Sequence, residues 1–392
     1  MGRFSKRFRS WHVRFVRSIQ VWCVLFIACW VTVAQAAVPP ITLNARQWVL
    51  IDARTGEVLA SKDADQPAEP ASITKLMTAY VVFGALRDGR LELEQQIPVS
   101  TTAWKMGGSR MFIDPKMTPT VEELLRGMII QSGNDASVAL AEAVAGSEEA
   151  FTALMNDAAK KLGLKNSHFM NSTGMPDPQH YMSAHDIALL ARAIIEEFPQ
   201  FYALYSEKEY VFNGIRQPNR NRLLWLDPSV DGIKTGHTSS AGYCLASSAR
   251  REGRRLIAVV LGAPSDEVRV QESLKLLNYG FQFFDAVKLY DANQAVATLR
   301  VWKGAKREIP VGFTTDVVLT LPREDVKHAE ARFIGEEPLL APVSKGQPVG
   351  KVEVSVEGKP LTTLTAVALD DVPQAGWFGR AWDALVLWIK SW

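Results

Sequence analysis

Two apolar runs, Trp48-Val49-Leu50-Ile51-Asp52 and Glu57-Val58-Leu59-Ala60, flank Arg54-Thr55-Gly56 and predict a β-hairpin near the start of the folded chain. Ser72 to about Leu86 repeats its apolar positions at helical spacing. Asp114-Pro115 and Thr118-Pro119 break the chain before another helix from about Val121. Residues from about Asp135 to Leu162 read as helical, interrupted near Gly146, and Asn171 to Pro178 is a loop. Ser183 caps a helix that runs to Phe198. Two strands follow, Gly242–Ala249 and Arg255–Leu261, turned at Glu252-Gly253, and Asp266 to Phe284 is a long amphipathic helix. Strands at both ends with helices between predict an α+β fold, with helices packed on a mainly antiparallel sheet.

From about Tyr290 the pattern changes. Short runs at 296–301, 316–321, 350–354 and 364–369 alternate with turn residues, and no helical spacing interrupts them. They predict a small all-β domain. At the end of the chain, Phe378, Trp382, Leu385, Ile389 and Trp392 recur at steps of 4, 3, 4 and 3, one apolar face of a helix. A helix of that length, about 24 Å, is shorter than a bilayer core of about 30 Å. It suits a membrane interface, with its tryptophans at headgroup level, or a dock on the β domain.

At the other end, residues 1–36 hold six basic residues and no acidic one, then an apolar run from Val21 to Val33, then Ala34-Gln35-Ala36. That order predicts a secretory signal peptide cut after Ala36, with an uncleaved anchor as the alternative. Composition changes the picture only a little. With 392 residues, 47% hydrophobic and 22% charged, the chain is neither disordered nor polytopic. The formal charge of +2 becomes −4 once the six basic residues of the leader are removed, which excludes a generally basic nucleic-acid binder. Cys23 and Cys29 fall in the leader, so only Cys244 remains and no internal disulfide is possible. Cys244 sits in a strand-like run and reads as a small buried residue.

Three short segments could carry chemistry. In Ser72-Ile73-Thr74-Lys75 the serine and lysine are one helical turn apart, so the amine can reach the hydroxyl. A serine is a poor nucleophile until a base takes its proton. A lysine can be that base only if its pKa falls by about three units from near 10.4, through burial or a neighbouring cation. Alone, the pair equally suits a capping serine and a solvated lysine. Ser132-Gly133-Asn134 can present a second hydroxyl and a carboxamide, or be an ordinary turn. Lys234-Thr235-Gly236-His237 enters a strand, where Lys234 supplies a second cation, Thr235 a hydroxyl, and Gly236 lets a ligand backbone lie close. The three occur once each, in that order, 60 and then 102 residues apart.

This set, with Asn219-Arg220-Asn221-Arg222-Leu223-Leu224-Trp225 and Val230-Asp231-Gly232-Ile233, resembles the low-molecular-mass penicillin-binding proteins, the serine D-alanyl-D-alanine carboxypeptidases of the 5/6 type. The resemblance implies a β-lactamase/transpeptidase-like catalytic domain over 37–288, an all-β domain over 289–372 and an amphipathic anchor helix over 373–392, behind a signal peptide over 1–36. It implies that Ser72 is the acylated nucleophile, Lys75 its base, and Ser132 and Asn134 the proton relay and substrate clamp. Lys234 and Thr235 would bind the substrate's terminal carboxylate. The backbone N–H groups of Ser72 and His237 would form the oxyanion hole, beside Gly236. Arg220 and Arg269 match the family's carboxylate-side arginines or are plain surface charges. The expected partners are peptidoglycan stem peptides, β-lactams as covalent inhibitors, and a membrane surface at the periplasmic face of the inner membrane; no nucleic acid, metal or organic cofactor is expected. No E-x-x-L-N segment of the class A β-lactamase kind is present, and His168, His180, His185 and His237 lack metal-ligand spacing. A D,D-endopeptidase, a β-lactamase and a non-catalytic cell-wall scaffold remain the alternatives.

Overall fold

The structure, a computed structural model, describes residues 38–390. The expected signal peptide, with Cys23 and Cys29, lies outside the described residues, as does Trp392. The first strand pair is β1 (Gln47–Asp52) and β2 (Val58–Lys62), followed by a 3-10 turn at Ala71–Thr74 and helix α1 (Lys75–Arg87). Helices α2 (Val121–Ile130), α3 (Asn134–Ala145), α4 (Glu148–Lys161) and α5 (Ala184–Glu197) come next. A small hairpin, β3 (Glu209–Phe212) and β4 (Ile215–Pro218), leads to three long strands, β5 (Val230–Thr238), β6 (Gly242–Arg251) and β7 (Arg254–Ala263). Helix α6 (Asp266–Phe283) completes the unit.

The main sheet has the order β2-β1-β7-β6-β5 and is antiparallel throughout. Both of its faces are covered, which is why β1 and β7 read as unbroken apolar runs. On β1, Val49 and Ile51 join the core under α1 to α5, while Trp48 and Leu50 join the core under α6. The β6–β7 turn at Glu252-Gly253 has φ of +51° and +80°, the twist a two-residue hairpin needs. Ser183 accepts the Asp186 N–H at the start of α5, as the sequence predicts. Gly146, at φ +80°, separates α3 from α4. The expected helix at Ser72 is corrected: Ser72 lies in the 3-10 turn and makes no cap hydrogen bond, and the α-helix starts at Lys75.

Strand β8 (Phe284–Tyr290) follows α6 without a break, then β9 (Ala295–Trp302), β10 (Glu308–Gly312), β11 (Val317–Pro322), β12 (Ala329–Gly335), β13 (Leu339–Leu340), β14 (Pro348–Val356) and β15 (Lys359–Ala368). Six of them form one sheet, ordered β12-β14-β15-β10-β9-β13, around Leu299, Ile309, Val311, Val352, Val354 and Ala366. β8 and β11 pair as a separate ribbon that meets the first domain. There Arg54 pairs with Asp316 at 3.2 Å, and the Thr320 N–H donates to Glu57 Oε2 at 3.2 Å. A cavity of about 810 Å³ lies at this junction, with five arginines in its wall. Each is already held by a carboxylate: Arg54 by Asp316, Arg251 by Asp227, Arg254 by Asp52, Arg255 by Asp231 and Arg323 by Asp285. The cavity is therefore a structural joint with its charges balanced internally.

The last helix, α7 (Trp377–Lys390), exposes Trp377, Phe378, Trp382, Leu385, Trp388 and Ile389. Its Asp383 Oδ2 accepts the backbone N–H of Lys303 at 2.6 Å, which ties the helix to the β domain. No helix among the described residues is long and apolar enough to cross a membrane.

Candidate active site

The 3-10 turn before α1 brings Ser72 and Lys75 together. Lys75 Nζ lies 2.9 Å from Ser72 Oγ, 2.7 Å from Asn134 Oδ1 and 2.8 Å from the Thr173 carbonyl oxygen. The Asn134 amide is oriented by its own Nδ2, which donates to the Gly107 carbonyl at 2.7 Å and leaves Oδ1 to accept. Two of the three partners of Lys75 can therefore only accept, and Ser72 alone can donate. A neutral amine has two N–H groups and one lone pair. It fits these partners by giving both N–H groups to Asn134 and Thr173 and turning its lone pair to the Ser72 O–H.

The electrostatics favour that neutral form. Lys75 is 1% exposed, and burial first, then the Arg220 guanidinium, lowers its pKa from 10.5 to about 7 against the opposing pull of Asp135. Lys234, equally buried, is also held well below the ordinary lysine range, by burial and then by Lys75, Arg220 and Arg269. Its Nζ donates to Ser132 Oγ at 2.9 Å and to the Thr235 carbonyl at 3.0 Å. Ser132 itself sits at φ +67°, a costly conformation for a residue with a side chain. It stands in the tight turn between α2 and α3, and that conformation aims its hydroxyl at Lys234.

Ser72, Ser132, Asn134, Thr235, Gly236 and His237 all line one cavity of about 460 Å³, with Arg220 and Arg269 in the same wall. Gly236 is needed where it stands, because a Cβ there would meet the Pro70 carbonyl oxygen at 2.8 Å. Arg269 is buried and is no surface charge. It pairs with Asp266, donates to the Gly236 carbonyl at 3.2 Å, and lies over the Tyr243 ring at 5.5 Å. The His237 ring also packs against Tyr243, tilted by 32° with ring centroids 4.1 Å apart. Arg220 is exposed at the cavity wall. One rim of the cleft is thus cationic, suited to a carboxylate.

Several contributors carry no motif. Asp135, fully buried, accepts the backbone N–H groups of Met111, Phe112, Ile113 and Ala136 at 2.8 to 3.2 Å, and so pins the segment beside Gly108 and Ser109 to the start of α3. Asn171 Oδ1 accepts three successive N–H groups, from Thr173, Gly174 and Met175, and shapes the loop that offers the Thr173 carbonyl to Lys75. An acidic residue directly after Asn134 and an asparagine opening a glycine turn are the signals that point to these two.

Comparison with known proteins gives the chain's family. A family model described as D-alanyl-D-alanine carboxypeptidase matches residues 32–265, and one described as penicillin-binding protein 5, C-terminal domain, matches residues 284–374. The chain belongs to the D-alanyl-D-alanine carboxypeptidase family. Among relatives of this carboxypeptidase, DacC of Escherichia coli K12 is 43% identical over 371 residues, which span 92% of this chain and 93% of DacC. DacA of Haemophilus influenzae is 40% identical over 363 residues, spanning 91% of this chain and 92% of DacA. The solved structure of penicillin-binding protein 5 from Haemophilus influenzae matches 86% of this chain and 100% of that chain, with a TM-score of 0.84 and 40% identity. Penicillin-binding protein D2 of Listeria monocytogenes, solved in its ampicillin-bound form, matches 62% of this carboxypeptidase and 99% of its own chain, with a TM-score of 0.58 and 30% identity.

Proposed function

We infer that this carboxypeptidase removes the terminal D-alanine from peptidoglycan stem pentapeptides through an acyl-enzyme on Ser72. The Ser72 hydroxyl attacks the carbonyl carbon between the two D-alanines, and its proton passes to Lys75 Nζ. The tetrahedral centre is steadied by the N–H groups of Ser72 and His237. The C–N bond then breaks, the leaving amine takes a proton by way of Ser132, and free D-alanine departs. Water attacks the ester and returns Ser72 to its hydroxyl form. Lys234, Thr235 and the two arginines hold the substrate's terminal carboxylate on the cationic rim, and Asn134 and Gly236 position its backbone. No metal or organic cofactor enters any step. The observation that carries this reading is the set of Lys75 partners, in which only Ser72 has a proton to give. The named relatives favour it over the endopeptidase, β-lactamase and scaffold alternatives.

A β-lactam should enter this cleft; the Listeria relative is solved in its ampicillin-bound form. Mass spectrometry of the purified enzyme after exposure to benzylpenicillin is expected to show one penicilloyl adduct, on the peptide holding Ser72, and none in Ser72→Ala. D-alanine release from a pentapeptide should vanish in the same variant. An adduct that persists without Ser72 would refute the assignment.

The basic leader and its Ala-Gln-Ala end support export to the periplasmic face of the inner membrane, with residues 37–288 as catalytic domain and 289–372 as β domain. The exposed apolar face of α7 supports attachment through residues 373–392, lying in the interface. Flotation with anionic phospholipid vesicles should recover the wild type with the lipid. A chain with Phe378, Trp382 and Leu385 changed to serine should stay behind with its peptidase activity intact.

A further inference from the structure

The turn that carries the nucleophile is held from behind by His180. Its ring is buried, edge-on to Phe169 at 5.7 Å. His180 Nδ1 accepts the Met170 backbone N–H at 3.2 Å. That acceptor role places the ring proton on Nε2, so the Nε2–H donates to Thr74 Oγ1 at 2.8 Å. Burial, and to a lesser degree the neighbouring His168, lowers the ring pKa to about 4 against the pull of Asp177, so the imidazole is neutral in the working range. Thr74 is the residue just before Lys75. Its hydroxyl faces the 172–174 segment: a Cβ on Gly174 would fall 2.8 Å from Thr74 Oγ1. Along that segment the Ser172 carbonyl accepts the Thr78 hydroxyl at 2.6 Å, and the Thr173 carbonyl accepts Lys75 Nζ. The Ser172 N–H and hydroxyl both donate to Glu148 Oε1.

We propose that His180 is a positioning residue for acylation. Through Thr74 it fixes the nucleophile turn against the 171–175 loop, so that the Thr173 carbonyl keeps one N–H of Lys75 engaged and the Lys75 lone pair stays on Ser72 Oγ. His180 touches neither substrate nor reacting atoms; its hold on the nucleophile turn runs through Thr74. The proposal builds on the reading of Lys75 as the base for Ser72.

The test measures the second-order rate of acylation by benzylpenicillin between about pH 5 and 10, with thermal unfolding in parallel. Thr74→Val keeps the shape of the side chain and removes the acceptor. It should slow acylation about tenfold near pH 7, the scale of a small misplacement. It should also move the acid limb of the profile up by about one pH unit, as water regains one side of the Lys75 amine. Thr74→Ser keeps the hydroxyl and should restore both values. His180→Phe should behave like Thr74→Val, and the two together should be no slower than the worse single change. The charged groups that face Lys75, namely Asp135, Arg220 and Lys234, are untouched in every variant. An acid limb that stays in place in Thr74→Val, with or without a lower melting temperature, would overturn the proposal. Failure of the underlying reading looks different, because the wild type itself would then form no adduct on Ser72.

Discussion

Lys75→Met should abolish acylation of Ser72 at every pH, a loss of at least about 10²- to 10⁴-fold, the usual worth of a general base. Methionine fills similar space without a lone pair that can take a proton. Lys75→Arg should be just as inactive, since a guanidinium keeps its proton throughout the working range. In the wild type the rate should rise as pH passes about 7, where burial and Arg220 place the Lys75 titration. The sign follows from which form works. The neutral amine is the base, so activity is present above that pKa and is lost as pH falls through it. A labelled penicillin followed by stopped flow reads both effects. A flat profile from pH 5 to 9 in the wild type, or a rate for Lys75→Met near that of the wild type, would remove Lys75 from its role.

Gly174→Ala is the second large effect. The residue sits at φ +82°, and an added Cβ would fall 1.8 Å from the Ala71 carbonyl oxygen. That neighbour is backbone and cannot swing aside, and Ala71 itself already holds φ +48°. Strain of about 1–3 kcal/mol is expected. For a domain of this size that corresponds to a fall in melting temperature of roughly 2–12 °C. A shift of the turn by even about 1 Å would cost about 100-fold in acylation. Gly146→Ala is the control, because Gly146 has φ +80° and nothing within 4 Å. It should cost about 1 kcal/mol and leave acylation unchanged. Differential scanning calorimetry and the penicillin assay on both variants separate crowding from backbone conformation. Equal effects in the two would show that the contact with Ala71 is irrelevant.

Ser72, Lys75, Ser132 and Lys234 could be picked out from the sequence because their chemistry sits in side chains at short, fixed spacings. The Thr173 carbonyl could not, since every residue has one and nothing in the chain marks which will face an amine. Asp135 and His180 were hidden for a related reason: they act on backbone groups or through a neighbour, and their value comes from contacts across 22 to 106 positions. Among the elements, the β1–β2 and β6–β7 hairpins and helices α1, α4 and α5 carry strong periodicity and turn residues. The β3–β4 hairpin is only four residues a side with exposed Val211 and Ile215, so its alternation points the wrong way. β10 and β12 were missed too. Pro310 interrupts the first, and the second exposes most of its positions. The apolar spacing predicts a helix from Ser72 onward, but Ser72 lies in the 3-10 turn and its hydroxyl is engaged by Lys75.

Asp383 grips the Lys303 amide, and the Pro373–Gly376 segment leaves little slack between α7 and the sheet. A helix lying flat on a bilayer would then carry the β domain as a stiff post, and the cleft with it, at a set height. An enzyme so held would trim the layer of wall within its own reach. Its choice of substrate would then be partly a matter of altitude, fixed by one carboxylate far from the serine.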